Sequence, residues 1–563
     1  MHNATITIWV KISLVLLCCA CVLFASSQRT VEAQPETTSA NEYAGNAACA
    51  KCHADIYKTF SQTPMANSSG TVNNDALQNK LPAAEFSHAA SGINYHITKD
   101  GADTFIEFER QQTNAIKGRR KLDFFVGSGN HGRSFLSAIE GFLYQSPISY
   151  YAKDHKWEMS PGYEMMDAMK LGRAIRKGCL ECHASQLQPI AGTENQYAAQ
   201  PFLDRGISCE RCHGPGQQHI ALMKAGSKIK GIVNPTKLAP LQRDSICAQC
   251  HLSGEARIER NGRSLLTFRP GDALSDHVLS FMQSNANGET MKATGHVEKL
   301  WQSKCKQISG DKLSCTTCHN PHESQSKANA ANYFNPKCTS CHQNNACKED
   351  LKIRTQASNN CISCHMPKSP TEHIGHNVFT NHAIPRRANA TAPAISSDTQ
   401  FTTFWGKATT RDLGLAYLAA ASRTKDANYL RATELLKKSE PTLKNDAYAL
   451  TALAKMYERE KNIEAATRCY ESALQSDPAQ TEAAVNLGTL YARQGKLPDA
   501  VKLWEDVLTR NPAYDIARIN LAVAHLENGN FETARKTLQK ALEYDPDLPM
   551  VRKLLADLNA MQK

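Results

Sequence analysis

Seven times between residues 49 and 365 the chain repeats one five-residue pattern, Cys-x-x-Cys-His. The copies are Cys49/Cys52/His53, Cys179/Cys182/His183, Cys209/Cys212/His213, Cys247/Cys250/His251, Cys315/Cys318/His319, Cys338/Cys341/His342 and Cys361/Cys364/His365. Two intervening residues place both sulfurs over the two vinyl groups of one porphyrin, and the adjacent histidine turns its imidazole under the iron. This is the spacing of covalent c-type haem attachment. Structural zinc also uses Cys-x-x-Cys knuckles, but in four-coordinate pairs. Zinc needs no histidine after every pair, and an odd number of knuckles leaves one unpartnered. The pattern predicts seven covalently bound c-type haems, with fourteen thioether cysteines and seven proximal histidines.

From Cys179 onward the motifs crowd together, separated by Gly, Pro, Asn and Ser rather than by long helical patterns. Such a segment cannot build an ordinary side-chain core, so the macrocycles must supply much of the apolar area. Haem loss then means unfolding. The one long gap, between His53 and Cys179, alternates Ile93, Tyr95 and Ile97, then runs Phe105 to Phe108, around Lys99-Asp100-Gly101. That reads as a hairpin in a small sheet, making 54–178 partly β.

Beyond a small, polar stretch at 388–400, read as a linker, prolines recur at 478, 512 and 546. A period of 34 marks tetratricopeptide repeats. In the unit 481–514, Ala484, Leu487, Gly488, Tyr491, Ala500, Trp504, Val507 and Pro512 fill the sites where two antiparallel helices interlock. Units 447–480 and 515–548 follow suit, 413–446 is degenerate and lacks the proline, and 549–563 closes the stack. Cys469 reads as a buried inert thiol and His525 as packing. The expected fold is mainly α: a haem-packed cytochrome domain over 34–387 with a β-rich early section, then an all-α solenoid over 401–563.

Residues 1–33 look like an export signal. Lys11 precedes an apolar run from Ile12 to Ala25, too short for a comfortable membrane span, and Val31-Glu32-Ala33 offers a cleavage site before Gln34. Cys18, Cys19 and Cys21 are apolar filler there; the alternative is a retained N-terminal anchor. The expected location is periplasmic or extracellular, where disulfides persist. The formal charge of +11 falls to +10 without the signal. Fourteen propionates and seven ferric centres bring it to +3 oxidised and −4 reduced, which removes the electrostatic case for nucleic acid.

A haem held by one histidine keeps an open iron position, whereas a second strong ligand closes it and leaves electron transfer. Outside the motifs, the signal and the repeats, eleven histidines remain: His88, His96, His131, His155, His219, His277, His296, His322, His373, His376 and His382. His322 follows His319 by three residues, so one short segment can serve two neighbouring irons.

Over residues 42 to 387 the chain resembles the multihaem cytochromes related to cytochrome c554, which occur joined to tetratricopeptide repeats. The resemblance rests on Cys-His-Gly-Pro-Gly at 212–216, Cys-His-Asn-Pro-His at 318–322, Cys-His-Met-Pro-Lys at 364–368, Gly127 to Ser134 and Phe379 to His382. It implies His131, His219, His322, His376 and His382 as distal ligands, with His88 a weaker match. The seventh site is left to His296, His96 or Met65, or is open. Compartment, parity and the family pattern together imply a Cys305–Cys347 disulfide. The reading is an exported electron carrier, with redox partner proteins docked on the repeats. The alternative is a reductase or oxidase of a small nitrogen or sulfur compound at one open haem.

Overall fold

The computed structural model describes residues 42–561, apart from 74, 76–80, 83, 112–114, 284–293, 327, 344–346, 371–377, 387–399 and 422–426. Residues 1–33 with Cys18, Cys19 and Cys21, His373, His376 and most of the 388–400 stretch lie outside the described residues. Among the described residues no helix is long and apolar enough to cross a membrane.

The gap between the first two motifs holds nine strands. Ala84–His88 (β2), Ile93–Asp100 (β3), Asp103–Arg110 (β4) and Ile116–Leu122 (β5) form a four-stranded antiparallel meander. Ser69–Thr71 (β1), Phe124–Val126 (β6), Gly132–Ile139 (β7), Phe142–Tyr151 (β8) and Lys156–Met159 (β9) form a second sheet in the order β1-β6-β7-β8-β9. The β3–β4 hairpin turns at Gly101, whose φ of 60° suits a residue without Cβ. Ile93 and Tyr95 alternate inward with Ile106 and Phe108 and join Phe125, Phe135, Ile148 and Trp157 of the second sheet in one core. Burying each such side chain contributes about 1.5–3 kcal/mol.

The sheet region exceeds the small hairpin sheet that alternation announced. The reason is burial on both sides. In β8 every residue but one is buried, so it reads as a continuous apolar run without period.

The segment from Lys304 to Arg386 is built differently. Its short helices Cys315–Cys318, Ala330–Thr339, Leu351–Gln356 and Cys361–His365 each hold no buried residue. Ile308, Leu351 and Ile353 stand exposed. No hydrophobic side chain between Val297 and Phe401 is buried among the described residues.

The repeats are helix pairs: Thr410–Ala420 (α1) with Ala427–Ser439 (α2), Ala447–Arg459 (α3) with Ile463–Ser476 (α4), Thr481–Arg493 (α5) with Leu497–Arg510 (α6), and Asp515–Glu527 (α7) with Phe531–Tyr544 (α8). Pro549–Met561 (α9) follows. The interlock is tight at Gly488, where a Cβ would lie 2.6 Å from Trp504 Nε1, which donates to the Val485 carbonyl at 3.3 Å. Cys469 is buried on α4, and burial pushes its thiol up to about 11, as an inert packing residue requires.

From Tyr43 onward the chain is one unit, and the repeats join the rest at both ends of the stack. Near the end, Arg110 grips Asp547 with two hydrogen bonds of 2.5 and 2.9 Å, and Met169 N donates to the same carboxylate at 2.9 Å. Asn511 Nδ2 donates to Glu194 at 2.6 Å. At the start, Arg260 pairs with Asp412 at 2.7 Å, and Arg411 donates to the Glu259 carbonyl at 2.6 Å. Phe401–Thr403, assigned by sequence to the repeat domain, is instead a strand on Val278–Gln283, with Phe401 inside a core shared by Phe281 and α1. The polar stretch before it therefore leads into the cytochrome's own three-stranded sheet.

Candidate haem site

Each attachment motif is a single helical turn closed by its own backbone. His53 N donates to Cys49 O at 2.9 Å, His213 N to Cys209 O at 3.1 Å, His319 N to Cys315 O at 3.0 Å and His342 N to Cys338 O at 2.9 Å. The turn brings the histidine onto the same side of the chain as the two cysteines. Thiols of different motifs meet by hydrogen bonds, Cys49 with Cys209, Cys182 with Cys250, Cys247 with Cys315 and Cys338 with Cys361. These thiols occupy the positions of the thioethers formed on attachment. The contacts gather the motifs into three groups: the first with the third, the second with the fourth and fifth, and the sixth with the seventh.

The spacing of the imidazoles tests whether iron fits. An imidazole nitrogen sits about 2 Å from a first-row metal, and the ring centre lies roughly 1 Å behind it. Two axial rings on one iron are then about 6 Å apart, centre to centre. His53 and His219 lie 6.4 Å apart with planes at 17°. His213 and His322 lie 6.0 Å apart at 10°. His319 and His382 lie 6.2 Å apart at 31°. All three pairs match a proximal motif histidine with a histidine from outside the motifs.

The second nitrogens agree. Nδ1 of His213 faces Val233 O at 2.9 Å, that of His219 faces Lys230 O at 2.6 Å, that of His382 faces Thr380 O at 2.9 Å and that of His365 faces Pro385 O at 3.0 Å. A backbone carbonyl holds the proton on Nδ1 and leaves Nε2 for a metal. Burial pushes His382 down to about 4, so its ring is neutral at neutral pH. His183 and His319 are depressed by burial too, yet their surfaces are open. They border internal space rather than packed side chains, as residues facing a planar cofactor do. The residues present fit c-type haem.

His296 is pushed by burial to about 2 and stands 5.1 Å from both His251 and His382, nearly perpendicular to each. That is tighter than a shared iron needs, but it places His296, among the described residues, as the imidazole next to the fourth motif. His131 stacks on Phe379 at 4.5 Å. Ser68 Oγ lies 2.8 Å from Met65 O and 2.7 Å from His183 O, bringing the Met65 turn against the second motif.

Other expectations are corrected. The repeated spacing treats all fourteen attachment cysteines alike, and the structure does not. Cys52 and Cys341 stand exposed as free thiols, and Cys364 is a half-buried free thiol beside Ser363 Oγ at 3.8 Å. Each is the second cysteine of its motif. The spacing fixes two sulfurs relative to each other and to the histidine, but what covers them depends on which distant segment arrives. Cys52 and Cys341 are the more exposed sulfurs, while Cys364 is half-buried like Cys361 of the same motif. His88 has both ring nitrogens engaged, with Nε2–H donating to Glu164 O at 3.2 Å and Nδ1 paired with Ser91 Oγ at 2.9 Å, an arrangement unlike that of the paired histidines. His96 sits on β3 between the inward-facing Tyr95 and Ile97, on the opposite face of the pleat. His277 is held by Thr267 and Asp272, and His155 by Tyr150. Cys305 and Cys347 are separate free thiols, the first half-buried on Lys304–Ser309 and the second exposed, so the expected disulfide is not formed.

Residues 48–118 and 148–214 match the family model described as cytochrome c554 and c-prime. Residues 451–516 and 491–558 match two tetratricopeptide-repeat models. The chain joins a cytochrome c554-family region to tetratricopeptide repeats. The matched cytochrome stretches contain the first three motifs; the other four follow them. A curated relative, the C-type polyheme cytochrome OmcC of Geobacter sulfurreducens, is 20% identical over 25% of each chain, so this chain spans about a quarter of that relative's length. Among solved structures, one of MamA is 23% identical over 24% of this chain and 75% of that one, with a TM-score of 0.22. A second MamA structure is 25% identical over 27% and 80%, with a TM-score of 0.24. Both relations are confined to about a quarter of this chain.

Proposed function

We propose that this chain is an exported heptahaem c-type cytochrome that transfers electrons, and that its repeats hold it to redox partner proteins. Bound haem iron supplies reversible one-electron chemistry. The chain's own residues do the rest. His53 with His219, His213 with His322 and His319 with His382 would each hold one iron from both sides and so suit it to electron transfer rather than ligand chemistry, and the loop at 318–322 ties the third motif to the fifth, because His322 faces His213 while His319 faces His382. The repeats rest on the cytochrome through residues at the starts of α1 and α7 and after α8, which leaves Tyr448 and Ile516 exposed for a partner at 59% and 52%. The observation that carries the reading is the set of imidazole pairs spaced for a single iron. Electron paramagnetic resonance of the oxidised, matured protein tests it: low-spin ferric signals alone are expected.

The second reading is an enzyme acting on a small nitrogen or sulfur compound at one open haem. It is favoured by His183, an imidazole depressed by burial yet with an open surface, beside the Met65 turn rather than opposite a paired histidine ring. A high-spin ferric signal abolished by a His183 variant would move the assignment to this reading.

A further inference from the structure

Helix Pro240–His251 carries the fourth motif, and Arg243 precedes Cys247 by four residues, Cys250 by seven and His251 by eight. At 3.6 residues per turn all four share one face, the face that meets haem. The guanidinium is unusually placed. Its Nε and Nη2 are buried without a hydrogen-bond partner, as is the neighbouring Gln242 Oε1. Asp244 forms an ion pair with Nε at 3.6 Å, longer than a good hydrogen bond, and shares its other oxygen with Lys306 Nζ at 3.8 Å.

Arginine stays charged when buried, and with Asp244 shared between Arg243 and Lys306, Nε and Nη2 still lack a well-placed acceptor, which costs free energy. The acceptor that fits a guanidinium fork best is a carboxylate. Haem brings carboxylates into this core as its propionates. We propose that Arg243 is a positioning residue that binds a propionate of a haem packed on the Pro240–His251 helix and raises that haem's reduction potential. The assignment rests on the haem-bearing reading of the chain. A fixed positive charge offsets the propionate's field, which otherwise favours the ferric state.

The test uses the full-length matured protein with R243Q and R243K, counting haem per chain and following potentiometric titration by absorbance. R243Q is expected to keep its haem complement while one single-electron component moves to lower potential, and R243K to return that component towards wild type. Full haem content with no moved component in R243Q overturns the proposal and leaves the electron-transfer reading standing. A shift of equal size in R243K and R243Q also overturns it. Wild-type protein without haem sinks the underlying reading instead. If R243Q does not mature, redox-difference infrared spectra of wild-type protein with isotope-labelled arginine decide: a guanidinium band that changes on reduction supports the proposal, and its absence overturns it.

Discussion

The paired sheets and the segment from Lys304 to Arg386 solve the same problem with different material. In β3, β4, β7 and β8 the chain buries its own aromatic and branched side chains, with Tyr95, Phe125, Phe135 and Ile148 essentially inaccessible. In the Lys304–Arg386 segment four short helices meet without burying a single hydrophobic residue among those described. Hydrophobic burial is the dominant favourable term in folding. A segment lacking it must take apolar surface from elsewhere, and the three attachment motifs there name the source. On the proposed function, one region is specified by side-chain packing and the other by a cofactor.

Removing the cofactor from one region should break the comparison most visibly. In C361S/C364S the last motif cannot hold haem, and the Cys338–Cys361 contact between the last two motifs is lost. Backbone amides of 330–365 should lose protection by orders of magnitude in hydrogen exchange, because the half-exposed Asn335 hydrogen bonds to Asn359 and Cys361 are left without buried apolar surface beside them. Amides of β7 and β8 should exchange as before. Equal loss in both regions would mean that the sheets, too, depend on haem.

Truncating apolar side chains sharpens the contrast. Phe125 is fully buried, with the Arg133 guanidinium 3.7 Å from its ring. F125A should cost about 3–5 kcal/mol in chemical denaturation with no loss of haem. Ile353 is 49% exposed, and an exposed isoleucine would normally be replaceable at less than about 0.5 kcal/mol. If porphyrin covers it, I353A should cost about 2 kcal/mol in the loaded protein. A neutral result would place the macrocycle elsewhere.

This division also sets what the amino-acid sequence could disclose. Cys-x-x-Cys-His and the 34-residue proline period are local, rigid patterns, so motif positions and repeat boundaries could be read directly. The surroundings of each sulfur could not, which is why Cys52 and Cys341 look identical to Cys182 in sequence and differ from it in exposure. The Cys-His-Asn-Pro-His run announced that one loop serves two sites, and the ring geometry of His319 and His322 has the two facing different partners. Distal ligands depend on which distant loop arrives opposite each motif. His88, a weaker match by sequence, has its ring nitrogens engaged by Ser91 and the Glu164 carbonyl. The extent of the sheets was hidden because doubly buried β8 has no alternation. Arg243 was missed although its spacing of four and eight from Cys247 and His251 was visible, since burial alone distinguishes it from a surface arginine.

The smallest effect concerns the seam where the sheet region meets the repeats. Asp545 follows α8 and is 4% exposed, with Oδ1 lacking a hydrogen-bond partner. Burial pushes its carboxyl up to about 7, outweighing the Leu171 backbone hydrogen bond and the nearby Lys170 charge, while Asp515 adds a further upward push. The ordinary value is 3.8, so the folded state holds a proton that the unfolded chain releases. Stability is therefore full below about pH 4, falls as pH rises through about 7 and is level above that, with a loss on the order of 1–3 kcal/mol. Thermal unfolding should occur at lower temperature at pH 7.5 than at pH 5, and D545N should flatten the difference. Because Asp545 sits beside Lys170 and Leu171 of the cytochrome, the shift should appear in β-sheet and repeat signals together. A pH shift confined to the helical signal would mean that the repeats unfold independently of the sheets, despite the Arg110–Asp547 grip.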